Sequence, residues 1–474
     1  MRGAPGNPDR RGRGGGGKKG LQTALRAEIA SEVDRLVDRI LSQVGELGKL
    51  DLAASEMLIR AGVHRLGGNL LEKLLDVDSG HRGPHIDCGQ GHQAEFVSYR
   101  EKSLTTVLAP ITLRRAYYHC DACDKGRVPK DEDLDVVGTS YSPGVQRMLS
   151  RTGGQGPFER SRRDLSELAG IDVTAKQVER VAEANGARIK ARLEQEWQGL
   201  LDGSLIPLPS GPPIPRLYVT IDGTGVPTVP RENVGRAGKG PDGRAHTREV
   251  KVGCIFTQTK VDEEGRPVRD PRSSSYLAVV ESADRFGQLL YAEAARRGVD
   301  RAKEVVAIGD GAHWIWNVAD EHFPRATHIV DLYHAREHVG AFANLLYSPG
   351  DPDRAPWLNA RVAELDRGDV EAILERLQKL LKPGRDGDPI RQLISYFDNN
   401  RERMRYADFR RRGLFVGSGT VEAGCKTLIG QRLKLSGMRW TVRGAEAIIA
   451  LRCCEQSGRW DEFWQSLHTQ IEVA

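Results

Sequence analysis

The sequence has few of the features that mark secreted or membrane-spanning proteins. Seven cysteines among 474 residues are an odd number, which argues against a complete disulfide framework and favours thiols or metal ligands. No apolar run approaches the roughly 20 residues that span a bilayer. The basic, glycine-rich beginning of the chain has no apolar core of a signal peptide. We therefore expect a cytoplasmic protein.

A large excess of charge is also missing, because 70 basic residues stand against 65 acidic ones and leave a net charge of +5. The basic residues are nevertheless clustered. Arg401–Arg412 reads RERMRYADFRRR, and between Lys426 and Arg452 six basic residues accompany the single acidic Glu446. Such clustering suits a polyanionic partner, although solvated helix faces give the same pattern. The candidate polyanion contacts in the second cluster are Lys426, Arg432, Lys434 and Arg439.

Length and composition predict several consecutive domains in a multidomain α/β protein. Apolar residues recur every three or four positions before residue 80, which is typical of helices. Five prolines in Pro207–Pro215 exclude a helix or a central strand there. The expected regions are a disordered basic tail (1–20), a helical N-terminal region (21–80), a zinc-ribbon-like domain (81–135), a helix-turn-helix-like region (140–200), a proline-rich linker (201–215) and an α/β domain (216–474) with an all-α insertion at about 340–412.

The third region contains paired candidate ligands for a metal ion. Cys120 and Cys123 form a C-x-x-C, and His85 and Cys88 form an H-x-x-C upstream. Two such turns supply the four tetrahedral ligands that structural zinc prefers. His85 mirrors the second spacing, while His92 offers a C-x-x-x-H alternative. The sequence therefore predicts one closed zinc site that stabilises the fold.

A pair of helices is predicted in the fourth region. Glu159–Ala169 forms the first helix, Gly170–Asp172 the turn, and Ala175–Asn185 the second helix, with Thr174 as its N-cap. This pattern is typical of a helix-turn-helix that reads a DNA groove, and equally of a helix pair that only packs. The groove-facing candidates are Lys176, Gln177 and Arg180.

Two strands of the α/β domain end in the same way, with a carboxylate followed by glycine. Leu217–Asp222 and Glu304–Asp310 are both apolar runs of this kind, within a predicted mixed sheet. An Asp-Gly pair alone indicates a turn. Two neighbouring ones would bring Asp222 and Asp310 together, and two close carboxylates require cations such as Mg²⁺. Glu422, on a helix predicted to begin near Ser418, supplies a third ligand.

The segments YVTIDGTGVP, REVKVG, IGDGAHWIWN, HIVDLYHAREH and GSGTVEAGCK…QRLKLSGMRW cover most of Leu217–Arg452. Over them the sequence resembles the DDE transposases of bacterial insertion sequences, in particular the ISKra-type group related to Mutator-like enzymes. RRAYYHCDAC and the metal-ligand pairs extend the similarity toward the N-terminus, where His85 departs from an expected cysteine. The resemblance implies an RNase H-like core with Asp222, Asp310 and Glu422 as the catalytic triad.

The resemblance also implies a chemistry and partners. Two Mg²⁺ or Mn²⁺ ions would serve cleavage of phosphodiesters at the ends of a mobile element and transfer of the freed 3′-OH to target DNA. The partners would be both DNAs and a second copy or more of the chain, associated with the nucleoid. Alternatives are an RNase H-like nuclease without strand transfer and a catalytically inactive DNA-binding regulator.

Four further residues near the acids have more than one interpretation each. Asp331 and His334 match the family's C/D-x-x-H motif, and they would orient a metal ligand, contact DNA or cap a helix. Trp314 and Trp316 would stack on a flipped base or pack in the core.

Overall fold

The computed structural model describes residues 15–47, 51–204, 211–238, 243–380 and 388–467. The chain divides into two compact units, residues 1–148 and 149–474. The predicted linker lies partly outside the described residues, as does most of the predicted basic tail, although Gly15–Gly20 belongs to the first helix. No helix in the described ranges is long and apolar enough to cross a membrane.

The first unit begins with two long helices, which confirms the predicted helical region. Helix α1 spans Gly15–Leu47 and α2 spans Leu52–Asp76. The Asp51 carboxylate accepts the Ala54 N–H at 3.2 Å and so caps the start of α2. The two helices pack against each other, and α2 also packs against the sheet that follows.

That sheet has four antiparallel strands in the order β1-β2-β3-β4. Its long central hairpin alternates buried and exposed positions, as expected where one sheet face is covered. Leu104, Ile111 and Leu113 are buried together with Val136. The strands are β1 His85–Asp87, β2 Gln93–Thr105, β3 Pro110–Cys120 and β4 Lys125–Arg127, followed by helices α3 Pro129–Asp133 and α4 Pro143–Gln155.

The predicted helix pair is present at the start of the second unit. Helix α5, Phe158–Asp164, continues into a π-helical turn and ends at Gly170, whose φ of 66° is left-handed. Helix α6 spans Ala175–Leu201, well beyond the predicted end, and Thr174 is its N-cap as predicted. Helix α6 packs along a helix near the C-terminus, so this region belongs to the same compact unit as the α/β domain.

A mixed five-stranded sheet forms the centre of the second unit, in the order β11-β10-β5-β6-β9. Strand β6 is antiparallel to β5 and β9, whereas β10 is parallel to β5 and β11. This confirms the predicted mixed sheet. The strands are β5 Ile214–Pro227, β6 Thr247–Gln258, the short pair β7 Lys260–Val261 and β8 Pro267–Val268 outside the sheet, β9 Ser275–Val279, β10 Ala302–Gly309 and β11 Thr327–Val330.

The prediction that strand β5 ends at Asp222 is wrong. Asp222 pairs with Val252 and Gly223 with Lys251, and the ladder continues without a break to Pro227. The Asp-Gly pair is therefore part of a long hairpin arm and makes no turn.

Helices cover both faces of the sheet. On one face, Phe286 and Leu290 of α7 lie against Gly253, and Ile315 of α8 lies against Gly309. On the other face, α16 packs against β9, and Gly424 of α14 contacts the Tyr276 ring. The helices are α7 Ala283–Arg296, α8 His313–His322, α9 Leu332–Leu346, α10 Arg354–Arg367, α11 Val370–Leu380, α12 Asp388–Asn399, α13 Tyr406–Arg411, α14 Gly419–Gly424, α15 Gln431–Leu433, α16 Val442–Gln456 and α17 Trp460–Leu467.

The predicted all-α insertion corresponds to α9 through α13. Helix α9 begins before residue 340, because Asp331 caps it directly after β11. Helix α9 ends at Leu346 and α10 begins at Arg354, and residues 381–387 lie outside the described residues.

Candidate functional site

Four metal-ligating side chains meet in the first unit. The thiols of Cys88, Cys120 and Cys123 and one ring nitrogen of His92 all lie within 4.8 Å of one another. Two tight connections supply them: the turn between β1 and β2, where the Cys88 N–H donates to the His92 carbonyl at 2.9 Å, and the end of β3. A set of three thiols and one imidazole can bind a metal such as zinc.

The prediction that His85 is the fourth ligand is wrong, and the alternative His92 takes that place. His85 lies on β1 and pairs with Glu95 across the ladder, so its side chain is exposed on a strand rather than on the turn. The strand ends at Asp87, so His85 is held in the ladder while Cys88 lies on the turn with His92.

The thiols influence one another electrostatically. Burial by itself would raise the pKa of Cys88, but N–H groups of Gln90 and His92 and the neighbouring thiols lower it to about 7. A hydrogen bond with Cys120 raises the pKa of Cys123 to about 12. The site therefore favours at least one thiolate near neutral pH, the form that binds metal.

A second candidate site lies at the centre of the five-stranded sheet, around Asp222. Its carboxylate is half-buried. Oδ1 accepts the Gly223 N–H at 2.7 Å, and Oδ2 accepts the Cys425 thiol at 3.2 Å. Burial raises the pKa of Asp222, and the charge of Asp310 raises it further. Neither hydrogen bond involves a cation.

Asp310 lies beside Asp222 because β5 and β10 are parallel neighbours. Ile308 pairs with Thr220, so two residues later on each strand the two aspartates are level with each other. The Asp310 carboxylate accepts the Ala312 N–H at 2.8 Å, and the Tyr396 hydroxyl donates to its carbonyl at 3.1 Å. The structure thus brings together the first two predicted acids, which lie on adjacent strands rather than in adjacent turns.

Glu422 lies on a helix that contacts the strand of Asp222, but its carboxylate pairs with a lysine. It lies on α14, whose Thr420 hydroxyl is 3.4 Å from that of Thr220 on β5. Its own carboxylate is exposed and pairs with Lys426 at 2.8 Å. Among the described residues, the three acids do not form a group as close as the cysteine–histidine cluster.

Asp331 has the capping role that the sequence left open. It is buried, and its carboxylate accepts the His334 N–H at 2.7 Å and the Ser418 N–H. One side chain thus ties the start of α9 to the start of α14, the helix that carries Glu422. His334 is partly exposed, lies close enough to favour the charged form of Asp222, and stacks edge-on to His338.

The two tryptophans have different environments. Trp316 is only 4% exposed, and its indole N–H donates to Asn400 at 3.0 Å, which confirms the core-packing interpretation for one of the pair. Trp314 is half-buried on the opposite face from Cys425, where it lies edge-on to Phe286 and 5.4 Å from the Lys251 ammonium.

The basic residues predicted to contact DNA divide into two groups. Lys434 and Arg439 are exposed, and the Lys434 ammonium donates to the Thr224 hydroxyl on β5 at 2.6 Å, two residues from Asp222. Lys426 is exposed but paired with Glu422.

Arg432 corrects the prediction, because it is fully buried and cannot reach a DNA strand. Its guanidinium lies between the rings of Phe158 and Trp440 and donates to the Gly153 carbonyl at 3.0 Å.

Of the residues predicted to face a DNA groove, Gln177 caps the beginning of its own helix. It forms a capping box with Thr174, in which each side chain bonds the other residue's backbone N–H. Lys176 is exposed and pairs with Glu179 at 2.7 Å, and Arg180 is exposed. All three residues are exposed, although the side chains of Gln177 and Lys176 have partners within their own helix.

Sequence reasoning missed Cys425. The thiol follows Glu422 by three residues, which on a helix places both on neighbouring positions of one face. That spacing was a usable signal, but a buried cysteine is most often only a small apolar residue. Its contact with Asp222 depends on how α14 packs on the sheet.

Residues 285–463 match the model of a family described as "Uncharacterised protein family (UPF0236)". The matched span includes Asp310, Asp331 and Glu422, whereas Asp222 precedes it. No match was found among curated proteins.

Proposed function

We propose that this protein is a DNA transposase that cleaves DNA at transposon ends and transfers the freed 3′-OH to target DNA. Asp222, Asp310 and Glu422 would bind the divalent cations. One observation carries the proposal: Asp222 and Asp310 are level on the two central parallel strands of a mixed sheet, beneath the helix that bears Glu422.

The sheet itself supports an RNase H-like core. Three successive antiparallel strands, β5, β6 and β9, are followed by two helix-linked parallel strands, β10 and β11, which add on the other side of β5. This is the arrangement that the resemblance to DDE transposases implied. Fold alone does not define chemistry, so the argument depends on the acids.

The donor set fits Mg²⁺ or Mn²⁺. All three proposed ligands are carboxylates, the hard oxygen donors that these cations prefer. Among the described residues, neither Asp222 nor Asp310 forms an ion pair with a basic side chain. Glu422 would exchange its contact with Lys426, an exposed ion pair of a type that contributes little to stability. Burial raises the pKa of Asp222, as expected for a desolvated carboxylate at the proposed cation site.

When bound, such cations lower the pKa of an attacking water and stabilise charge on the leaving oxygen. The protein's own groups would orient the reaction. The Cys425 thiol holds one oxygen of Asp222, and Asp331 fixes the beginning of α14. Lys434, bonded to Thr224 at the same end of β5, would place a positive charge beside the scissile phosphate. We expect a dimer or larger assembly, because two transposon ends must be joined.

The test is incubation of the purified protein with Mg²⁺ and the DNA that flanks its gene, followed by mapping of the 3′ ends. Asp222→Asn should abolish cleavage and preserve DNA binding. Asp353→Asn is the matched control, because Asp353 is exposed and its side chain makes no capping bond.

Three results would redirect the proposal. Cleavage by Asp222→Asn at the wild-type rate would refute the assignment of the acids. Cut ends that never become joined would indicate a nuclease without strand transfer. DNA binding with no cleavage by the wild type would indicate an inactive regulator.

A further inference from the structure

A basic cavity of about 730 Å³ lies in the second unit, at the beginning of β9 and the C-terminal ends of α7 and α16. Its volume falls within the range of small-molecule sites, about 300–1,000 Å³. Five arginines and two glutamates line it. The arginines are Arg269, Arg272, Arg296, Arg297 and Arg459.

Each of the two glutamates forms an ion pair with an arginine that lies outside the cavity. Glu455 pairs with Arg151 at 3.1 Å and Glu462 with Arg192 at 3.2 Å. Glu462 also lies 3.9 Å from Arg296, which in addition pairs with Glu196. Five arginines against two glutamates nevertheless leave the wall with a net positive charge.

Three of the arginines have no carboxylate partner among the residues that the structure describes. Arg297 is half-buried and donates only to neutral oxygens, the Ser275 hydroxyl at 2.9 Å and the Ser274 carbonyl at 3.2 Å. Arg269 donates to the Ser274 hydroxyl at 3.2 Å. Arg272 is exposed. Its φ of 57° lies in the left-handed region, which is uncommon for residues other than glycine.

A fourth guanidinium is incompletely bonded. Arg459 pairs with Glu293 at 3.1 Å, but its Nε is buried without a hydrogen-bond partner. Burial lowers the pKa of Arg297, which shows that its charge is held at a cost. Buried donors and charges normally have partners, so a cavity with this wall is suited to an anion.

We propose that this arginine cavity binds the phosphate groups of a polyanionic ligand, carried either by the backbone of a DNA strand or by a free nucleotide. The planar guanidinium fork matches phosphate oxygens and forms two parallel hydrogen bonds with them. Several arginines around one cavity require a ligand with more than one negative charge. With DNA as the source, the site rests on the proposed function and extends the DNA surface beyond the acids.

The test measures binding by fluorescence anisotropy with two probes, a short labelled single-stranded oligonucleotide and a labelled ATP, both without divalent cations. The variant is Arg269→Ala/Arg272→Ala, because both side chains are exposed and lie outside the core. The control, Arg266→Ala/Arg325→Ala, removes the same charge from exposed positions outside the cavity. An unchanged tryptophan emission spectrum verifies that each variant is folded.

We expect the cavity variant to bind at least one probe about tenfold more weakly or worse than the control, since hydrogen bonds to charged groups are worth more than neutral ones. For the oligonucleotide, loss of two phosphate contacts should also reduce the slope of log K against log salt by about 1.4. Weakening of the oligonucleotide alone assigns the site to DNA, and weakening of ATP alone assigns it to a nucleotide.

Equal weakening in the cavity variant and the control would overturn the proposal, because it would show an effect of net charge only. The proposal would also be overturned if the wild type bound neither the oligonucleotide nor ATP. Asp222→Asn separates this inference from the proposed chemistry: it should retain full binding of the probes even where it abolishes cleavage.

Discussion

Gly186→Ala tests the packing that joins α6 to the sheet domain. Gly186 lies in the interior of α6, where alanine would by itself stabilise the helix by about 1 kcal/mol. A Cβ at this position would lie 2.0 Å from the Ala447 carbonyl oxygen and 2.8 Å from its Cα. Because backbone atoms of α16 cannot rotate away, the two helices would have to separate.

The expected outcome is net destabilisation. Overpacking of this kind lowers the free energy of unfolding by about 1–3 kcal/mol. Because the clash is with rigid backbone, we expect a cost near the upper end of this range. Subtraction of the propensity gain of about 1 kcal/mol leaves a loss of roughly 2 kcal/mol in the free energy of unfolding. Gly340→Ala is the matched control, since Gly340 is also within a helix but has nothing within 4 Å of a Cβ. It should stabilise by up to about 1 kcal/mol.

The assay is urea unfolding followed by tryptophan fluorescence. All seven tryptophans lie between residues 197 and 464, so the signal reports the second unit alone and avoids mixing two transitions. Opposite signs for Gly186→Ala and Gly340→Ala are the predicted result. A Gly186→Ala protein as stable as the wild type would refute the close approach of α6 and α16.

Three further predictions concern single side chains. Burial raises the pKa of Asp222 in the folded state. The protonated carboxyl group therefore favours folding at low pH, and this contribution to the free energy of unfolding is lost as the pH rises through the pKa of the folded protein. Asp222→Asn should therefore be more stable than the wild type at neutral pH without metal, with a difference that vanishes in thermal melts near pH 4, the usual aspartate pKa. Metal analysis should find about one zinc per wild-type chain and much less in Cys120→Ser, and absence of zinc from both would refute the site. Thr174→Ala should lose about 1 kcal/mol of stability through its capping box, and unchanged urea unfolding would contradict that geometry.

Local patterns predicted most elements of the fold. Apolar runs located β5 and β10, because a buried strand needs a continuous apolar stretch. Capping chemistry located the start of α6 at Thr174. The apolar runs and the helix cap depend only on residues close together in the sequence, so they can be recognised without a structure.

Errors arose where a local signal competed with a distant partner. Asp222-Gly223 has the composition of a turn, but β6 pairs with both residues and keeps the strand extended. His85 has the better spacing, but its strand pairing carries it away from the thiols and leaves the position to His92. Arg432 belongs to a basic cluster in the sequence, yet two aromatic rings enclose it.

The sequence by itself identified the candidate residues: three acids, three cysteines and two alternative histidines at metal-ligand spacing. Composition and short-range pattern are enough for that, because side-chain chemistry is a property of each residue. Only the tertiary structure decided their arrangement. It made Asp222 and Asp310 level on parallel strands, placed the Cys425 thiol on Asp222, and turned Glu422 toward Lys426. Those relations depend on strand register and helix packing, which join residues far apart in the chain.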